Sequence, residues 1–268
     1  MPELPEVEGM KQRLNKMVTG RLISDVRDIS GTATRSTDGT PFRDAVVGLG
    51  ITGFDRRAKN LLISLSNGDG IVMHFMREGM LEYAPIGAEL GPHTQAVMTL
   101  DNGHDLRLRD TMRTARWTLC PGNDTSKVST MQKLGLEYTD AAFTPDYLKV
   151  RLDKKSPLKA LLVDQSVIAG IGNAYAHEIA FEAGIRPDRA GNSLSGDEIV
   201  RVHRAIGLVF DRAIAARVAS TLSIMGDEGW EVARIHRRKG QPCPVCGTAL
   251  LGEKLGGNLM YYCPTCQH

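Results

Sequence analysis

The chain closes on Gln241-Pro-Cys243-Pro-Val-Cys246-Gly and Tyr262-Cys263-Pro-Thr-Cys266-Gln-His268, two Cys-x-x-Cys pairs with sixteen residues between them. Four thiolates at that spacing form a closed tetrahedral set for one structural zinc ion, with no open position for catalysis. They account for four of the five cysteines, a pattern that fits a reducing compartment better than a disulfide framework. The fifth, Cys120, follows Trp117-Thr-Leu on a predicted strand and reads as a buried, inert thiol. The opposite end reads Met1-Pro-Glu-Leu-Pro-Glu-Val-Glu8. Removal of Met1 turns Pro2 into a free secondary amine flanked by carboxylates. Such an amine attacks a sugar aldehyde carbon and forms an iminium, as lysine amines do in Schiff-base catalysis.

Composition bounds the rest. At 268 residues there is room for one large domain or two ordinary ones. Apolar content of 42% and charged content of 24% are those of a globular protein. No apolar run is long enough for a membrane span, and the acidic N-terminus has no apolar core of a secretory signal. Net charge is only +2, but from Trp230 to His268 five basic residues face two acidic ones, a net +3. A basic zinc module suits phosphate contact; charge alone equally describes a solvated face.

Residues 5–18 read as a helix, with Pro5 at a first helical position, apolar residues Leu4, Val7, Leu14 and Met17 near helical spacing, and Gly20 as terminator. From about 21 to 120 the texture is short β-rich runs: Leu61–Leu65, Ile71–His74, Ala96–Leu100 and Leu106–Leu108. Asn67-Gly68 and Asn102-Gly103 separate two pairs of these runs, the strongest short hairpin signal. The first half is therefore an antiparallel sandwich or barrel carrying an N-terminal helix. Beyond Pro121 the period turns helical. Thr144-Pro145 and Ser156-Pro157 each read as N-cap plus first position. Ser195-Gly-Asp-Glu198 is a capping box opening a helix to about Arg217. Between them, Gly170-Ile-Gly172-Asn173-Ala-Tyr-Ala-His-Glu178 is a glycine turn running into a helix, which offers N–H groups and a dipole to an anion. The glycines and preceding strand of a dinucleotide fingerprint are missing.

Five motifs stand in one order: Pro2–Glu8, Arg56-Arg-Ala-Lys59-Asn-Leu-Leu, His74, the 170–178 stretch and the four-cysteine tail. In that order the chain resembles, over essentially its whole length, the formamidopyrimidine-DNA glycosylases, the Fpg/MutM branch of the Fpg/Nei family. The resemblance implies an α+β protein: an N-terminal β-sandwich with an N-terminal helix, then a helix–two-turn–helix domain ending in a β-hairpin zinc finger. Boundaries follow as 1–120 for the catalytic sandwich, 121–138 for a linker, 139–230 for the DNA-binding helices and 231–268 for the finger. It implies a monomeric, cytoplasmic, bacterial-type enzyme of base-excision repair. Its partner would be double-stranded DNA bearing an oxidised base or an abasic site.

The implied chemistry assigns roles. A base inside a duplex is out of reach, so the nucleotide is flipped out. Pro2 attacks C1′ and expels the base, and the iminium then acidifies the 2′ hydrogens for strand cleavage. Glu3 is the general acid and Glu6 its support, binding the amine or fixing the helix start. Read without the family, both are helix-entry residues. Lys59 matches a strand lysine that grips the phosphate beside the lesion. His74, a core histidine by its apolar setting, becomes a DNA-backbone contact. Lys159 and Asn173 match phosphate-binding positions, Asn173 also reading as an N-cap.

Three positions depart from the family pattern. Arg77 stands where a methionine usually fills the hole left by the flipped base. The loop Asp110-Thr-Met112-Arg113-Thr114 carries a methionine in place of an arginine and lacks the aromatic wedge. Arg77 and Met112 thus exchange roles, with Arg113 beside them and Met76 as a competing wedge. A lost aromatic stack is worth ~1–3 kcal/mol per base. Asn258 replaces the finger arginine that holds the lesion phosphates, giving up a charge-assisted bond. The segment from Ser220 to Trp230 is shorter than the loop that closes over 8-oxoguanine. These departures support an alternative: a protein of the same fold that binds damaged or abasic DNA with weak or no incision. A zinc protein unrelated to DNA is a third reading, and a steep salt dependence of DNA affinity separates it from the others.

Overall fold

The computed structural model describes residues 2–222, 224–225, 233–255 and 257–268. The chain forms two compact units. Residues 1–132 and 214–229 make the first, and residues 133–213 and 230–268 the second.

The first unit opens with helix α1, Leu4–Met17. Its apolar residues Val7, Met10 and Leu14 repeat at helical spacing and are buried in the core. The helix begins one residue earlier than the sequence suggests, because Glu3 is its N-cap and Pro5 falls in the first turn rather than at its first position. Strands β1 (Ile23–Asp28) and β2 (Thr34–Ser36), the short helix α2 (Phe42–Val46) and strands β3 (Ile51–Arg57), β4 (Asn60–Leu65), β5 (Gly70–His74), β6 (Met80–Pro85), β7 (Thr94–Leu100), β8 (His104–Arg109) and β9 (Arg116–Cys120) follow. Both Asn-Gly pairs lie between paired antiparallel strands, β4 with β5 and β7 with β8, and Gly68 and Gly103 take the left-handed conformation those turns need.

The strands form two five-stranded sheets, one ordered β2-β9-β5-β4-β3. The other runs β1-β7-β8-β6 and ends on β10 (Ile224–Met225), which reaches the sheet from far along the chain to pair with β6. Trp117, Met73, Phe75, Leu61, Met98 and Leu106 fill the core. Cys120 is fully buried, and desolvation pushes its thiol up, as expected of an inert cysteine.

The second unit holds α3 (Pro145–Leu152), α4 (Leu158–Leu162), α5 (Asn173–Glu182) and most of α6 (Gly196–Ala219), whose final residues count with the first unit. Phe210 of α6 takes the edges of Tyr138 and Tyr175 at 5.1 and 5.7 Å between centroids. Thr144 caps α3 through Tyr147 N–H, and Ser195 with Glu198 forms the expected capping box on α6. Ser156 does not cap α4. Pro157 occupies that position, and the N–H groups of Leu158 and Lys159 donate instead to the carbonyls of Arg189 and Pro187. A passing strand of chain thus satisfies the orphan donors that a serine otherwise would. Strands β11 (Leu251–Leu255) and β12 (Asn258–Tyr262) close the unit as an antiparallel hairpin. Among the described residues no helix is long and apolar enough to cross a membrane.

Candidate functional site

The head of α1 concentrates carboxylates beside Pro2. Glu3 and Glu6 form a reciprocal capping box, each side chain accepting from the other's backbone N–H, with Glu3 N–H to Glu6 Oε2 at 2.9 Å. The other oxygen of Glu6 accepts from Arg217 Nε at 3.0 Å. Glu3 is 2% exposed, Glu6 5% and Arg217 4%, and Pro2 is buried with them. Fixing the helix start, one of the two supporting roles expected for Glu6, is served by its bond to Glu3 N–H; the other, binding the N-terminal amine, involves residue 1, outside the described residues.

Lys59 sits in a turn, not on a strand: β3 ends at Arg57 and β4 starts at Asn60, directly paired. Ala58 carries a φ of 53°, which an L-residue adopts at a cost of about 1 kcal/mol or more. Flanking side chains hold the turn in that conformation. Arg56 Nη1 donates to Ala58 O at 3.1 Å while its Nε engages Glu8 at 3.0 Å. Buried Asn60 donates to the carbonyls of Arg57 and Thr130, both at 3.1 Å. The turn therefore presents one cation rigidly. Burial holds the Lys59 ammonium below the usual lysine range, and Glu3 and Glu6 pull it partly back.

His74 ends β5 across the ladder from Asn60. Its Nδ1 accepts the Met76 N–H at 3.0 Å. Burial first, then the charge on Lys59, pushes the ring down to about 4, so it is neutral at physiological pH. With Nδ1 used as an acceptor, the ring hydrogen belongs on Nε2, which makes His74 a neutral donor.

Two loops of the same unit carry the residues expected to fill a vacated base position. Met76, with φ 51°, and Arg77 are exposed after β5. Met112, 44% exposed, and Arg113, with φ 56°, project from the loop between β8 and β9. Asp110 organises that loop from a fully buried position. One carboxylate oxygen accepts Met112 N–H at 3.0 Å, and the other accepts the N–H groups of Thr114 and Ala115 at 2.6 and 2.7 Å. Burial raises its proton affinity, but these bonds outweigh that and hold the carboxyl below its ordinary range. The loops are fastened to each other. Thr111 Oγ1 donates to Glu78, and a Cβ on Gly79 would lie 2.4 Å from Phe75 O and 2.9 Å from Ala115 Cβ.

In the second unit, Asn173 is exposed as the first residue of α5, and Gly172, not Asn173, is the N-cap. The asparagine amide is not spent on capping. Gln165 braces the glycine turn by accepting Gly170 N–H and donating to Ile171 O. Lys159 is buried and directs its ammonium to Leu259 O on β12 at 2.9 Å, with burial lowering its proton affinity. Beside it, His177 and His236 stack and both take the edge of Tyr261. Glu178 accepts three successive backbone N–H groups, from Arg234, Ile235 and His236. The backbone of Asn258 pairs with Leu255, but its side chain lies outside the described residues. So does most of the shortened segment before Trp230, at residues 223 and 226–230.

The four tail cysteines converge. Their Sγ atoms all lie within 4.8 Å of one another, with Cys243–Cys266 at 3.9 Å and Cys246–Cys263 at 3.5 Å. Zn–S bonds of about 2.3 Å at tetrahedral angles place sulfurs about 3.8 Å apart, so the set fits zinc. Gly247 takes φ 75°, and its N–H donates to Cys243 O, which turns the first knuckle.

Comparison with known proteins agrees with this geometry. Residues 1–117 match the Formamidopyrimidine-DNA glycosylase N-terminal domain, 134–224 its H2TH domain, and 240–268 the zinc finger found in FPG and IleRS. The formamidopyrimidine-DNA glycosylase of Pelotomaculum thermopropionicum is 34% identical across 100% of this chain and 99% of its own.

The chain belongs to the formamidopyrimidine-DNA glycosylase family.

Solved members superpose along its length. The Thermus thermophilus MutM (FPG) protein is 31% identical, with a TM-score of 0.85, covering 99% of this chain and 98% of its own. Lactococcus lactis Fpg, in complex with DNA containing an abasic site, has a TM-score of 0.89 at 25% identity, with 99% of both chains covered. The α+β fold is thus that of the family: sheet domain, helix–two-turn–helix domain and zinc-finger hairpin. The four cysteines fit its one structural zinc ion. Four structural participants had escaped the sequence reading: Arg217 behind Glu6, Asp110 beneath the 111–115 loop, Asn60 beneath Lys59, and Glu178 beneath the entry to the finger.

Proposed function

We propose that this glycosylase removes oxidised or ring-opened bases through Pro2 and then cleaves the abasic strand. The observation that carries the reading is the buried cluster at the head of α1, where Glu3, Glu6 and Lys59 act on one another electrostatically beside Pro2. With Met1 removed, the Pro2 nitrogen bonds to C1′ of the extruded nucleoside. The glycosidic bond breaks and the base leaves with a proton. The amine gives up its own proton, the C1′–O4′ bond opens with Glu3 supplying a proton to the departing base or to the ring oxygen, and C1′ is left doubly bonded to nitrogen. The resulting iminium carries the positive charge, which favours loss of a 2′ hydrogen and breakage of the C3′–O bond. Hydrolysis of the iminium regenerates the amine.

Lys59 and neutral His74 supply a cation and a hydrogen-bond donor for the phosphates flanking the lesion. Arg77, Met112 and Arg113 occupy the space that the flipped base leaves. Asn173, with its amide uncommitted to capping, serves as a backbone contact at a helix N-terminus. Lys159 acts on the same strand through the hairpin that carries Asn258. The division of labour follows: 1–120 for chemistry, 139–230 and 231–268 for gripping DNA, with a monomer acting in the cytoplasm on duplex DNA.

The test is borohydride trapping of Met1-free protein on duplexes containing an abasic site or an oxidised base. A covalent adduct that Pro2→Gly abolishes, with DNA binding preserved, is the expected result. Wild-type protein that binds such DNA and yields no adduct overturns the reading in favour of a damage-binding role.

A further inference from the structure

Among the buried charges that this mechanism leaves unused, Arg217 has the most direct access to the catalytic end. It lies in the last turn of α6, 211 residues from Glu6, yet its Nε sits 3.0 Å from Glu6 Oε1. The approach is built in. A Cβ on Gly9 would fall 2.5 Å from Arg217 Cβ, so only glycine at that place on α1 lets the arginine backbone come so near. A second tie runs beside the first, from the Arg13 guanidinium to Leu222 O. Removal of either member of a buried ion pair leaves the other desolvated and uncompensated.

We infer that Arg217 is a positioning residue for the N-terminal nucleophile, acting by neutralising Glu6; this rests on the Pro2 reading above. The Glu6 carboxylate is the buried anion at the root of α1 that fixes Glu3 N–H, one residue from the reacting nitrogen. Among the described residues, the charged groups facing it include Glu3, Lys59 and Arg217. Without Arg217, more negative charge remains at Glu6 and stabilises the protonated form of the Pro2 amine, which is not nucleophilic. Arg217 cancels that charge and leaves Glu6 to act as a hydrogen-bond acceptor. Arg217 lies three residues before Ser220, where the short segment leading to Trp230 begins, and the Arg13 tie holds Leu222 within it.

The experiment is a pH profile of single-turnover base release and of borohydride trapping, for wild type, Arg217→Gln, Arg217→Lys, Glu6→Gln and the double variant. Thermal melts establish that each is folded. The expected result is an acid limb moved upward by about one pH unit in R217Q, with a roughly tenfold loss at pH 7 that closes at high pH. R217K restores most of the wild-type limb. In the E6Q background, R217Q moves the limb no further. A loss in R217Q that is equal at every pH, or a limb shift that persists in the E6Q background, overturns the inference. If R217Q does not fold, the limb of R217K decides: a position identical to wild type supports charge neutralisation, and a uniform loss overturns it. Wild-type trapping is the internal control, since its absence refutes the Pro2 mechanism itself and is read separately.

Discussion

The Nδ1 atoms of His177 and His236 stand 3.0 Å apart, with the two rings stacked at 5.2 Å between centroids. Between two neutral imidazoles that contact holds one hydrogen, so one ring carries its proton on Nδ1 and the other on Nε2. A second proton has no place there. Burial and the neighbouring Lys159 push His177 down to about 2, and burial with Arg237 and Lys159 pushes His236 to about 4.

Acid should therefore loosen the second unit well above the pH at which carboxylates titrate. In the unfolded chain both histidines protonate near pH 6.5, while in the folded chain they stay neutral to about 4 and about 2. Their contribution is complete above pH 6.5. It declines as pH falls from there to about 4, and for His177 further still, by up to about 1.4 kcal/mol per pH unit for each ring. Urea midpoints at pH 7.5 and pH 5 measure this. His236→Phe should flatten the difference, and a wild-type midpoint unchanged across that interval contradicts the assignment.

Removal of Lys59 should be felt in binding as well as in chemistry. Lys59→Gln takes one cation from the turn proposed to meet phosphate, so the log–log slope of affinity against salt should fall by about one. Fluorescence anisotropy on abasic-site duplexes across a salt series reads that slope. An unchanged slope with lost activity would instead assign Lys59 to the reaction alone.

Asp110→Asn should weaken the wedge loop without touching any group at the head of α1. The new amide has a single acceptor oxygen, so it cannot serve Met112 N–H at one position and Thr114 and Ala115 at the other, as the two carboxylate oxygens now do. One orphaned buried donor costs about 1–3 kcal/mol. The melting temperature should drop, and discrimination between bases opposite the lesion should fall more than turnover of an abasic site. Equal loss on both substrates would argue against Met112 and Arg113 as gap fillers.

Metal removal should separate the two halves of the enzyme. Cys263→Ser, or exhaustive chelation, should abolish the one bound zinc per chain, disorder the β11–β12 hairpin and strip DNA affinity. The melting of the first unit, which contains none of the four ligands, should change little. Metal analysis with circular dichroism and DNA titration checks each part.

The sandwich was legible because its signals are local. Asn-Gly turns and alternating apolar residues act within ten residues of one another, and the cysteine pairs carry their own geometry. The family motifs then named candidate residues, but not their supports. Lys59 read as a strand lysine because Ala58 gives no hint of a left-handed turn; Arg56 and Asn60 impose it. Ser156-Pro157 looked like a cap because the competing carbonyls of Pro187 and Arg189 lie some thirty residues away. Arg217 was invisible for the same reason on a larger scale, its partner being 211 residues distant. Asp110 was within reach of the sequence: an aspartate followed by Thr-x-Arg-Thr is the kind of residue that bonds its own loop.

The strand at Ile224–Met225 completes a sheet begun at Ile23, and Arg217 completes a charge pair begun at Glu6. During synthesis, then, the amino-terminal half waits. Until some 225 residues have left the ribosome, one sheet lacks its border and Glu6 its bond to Arg217. A fragment ending at Gln132 would keep Pro2 and Glu6 and lose Arg217, so the nucleophile proposed at the front of this protein gains its full surroundings only near the end of translation.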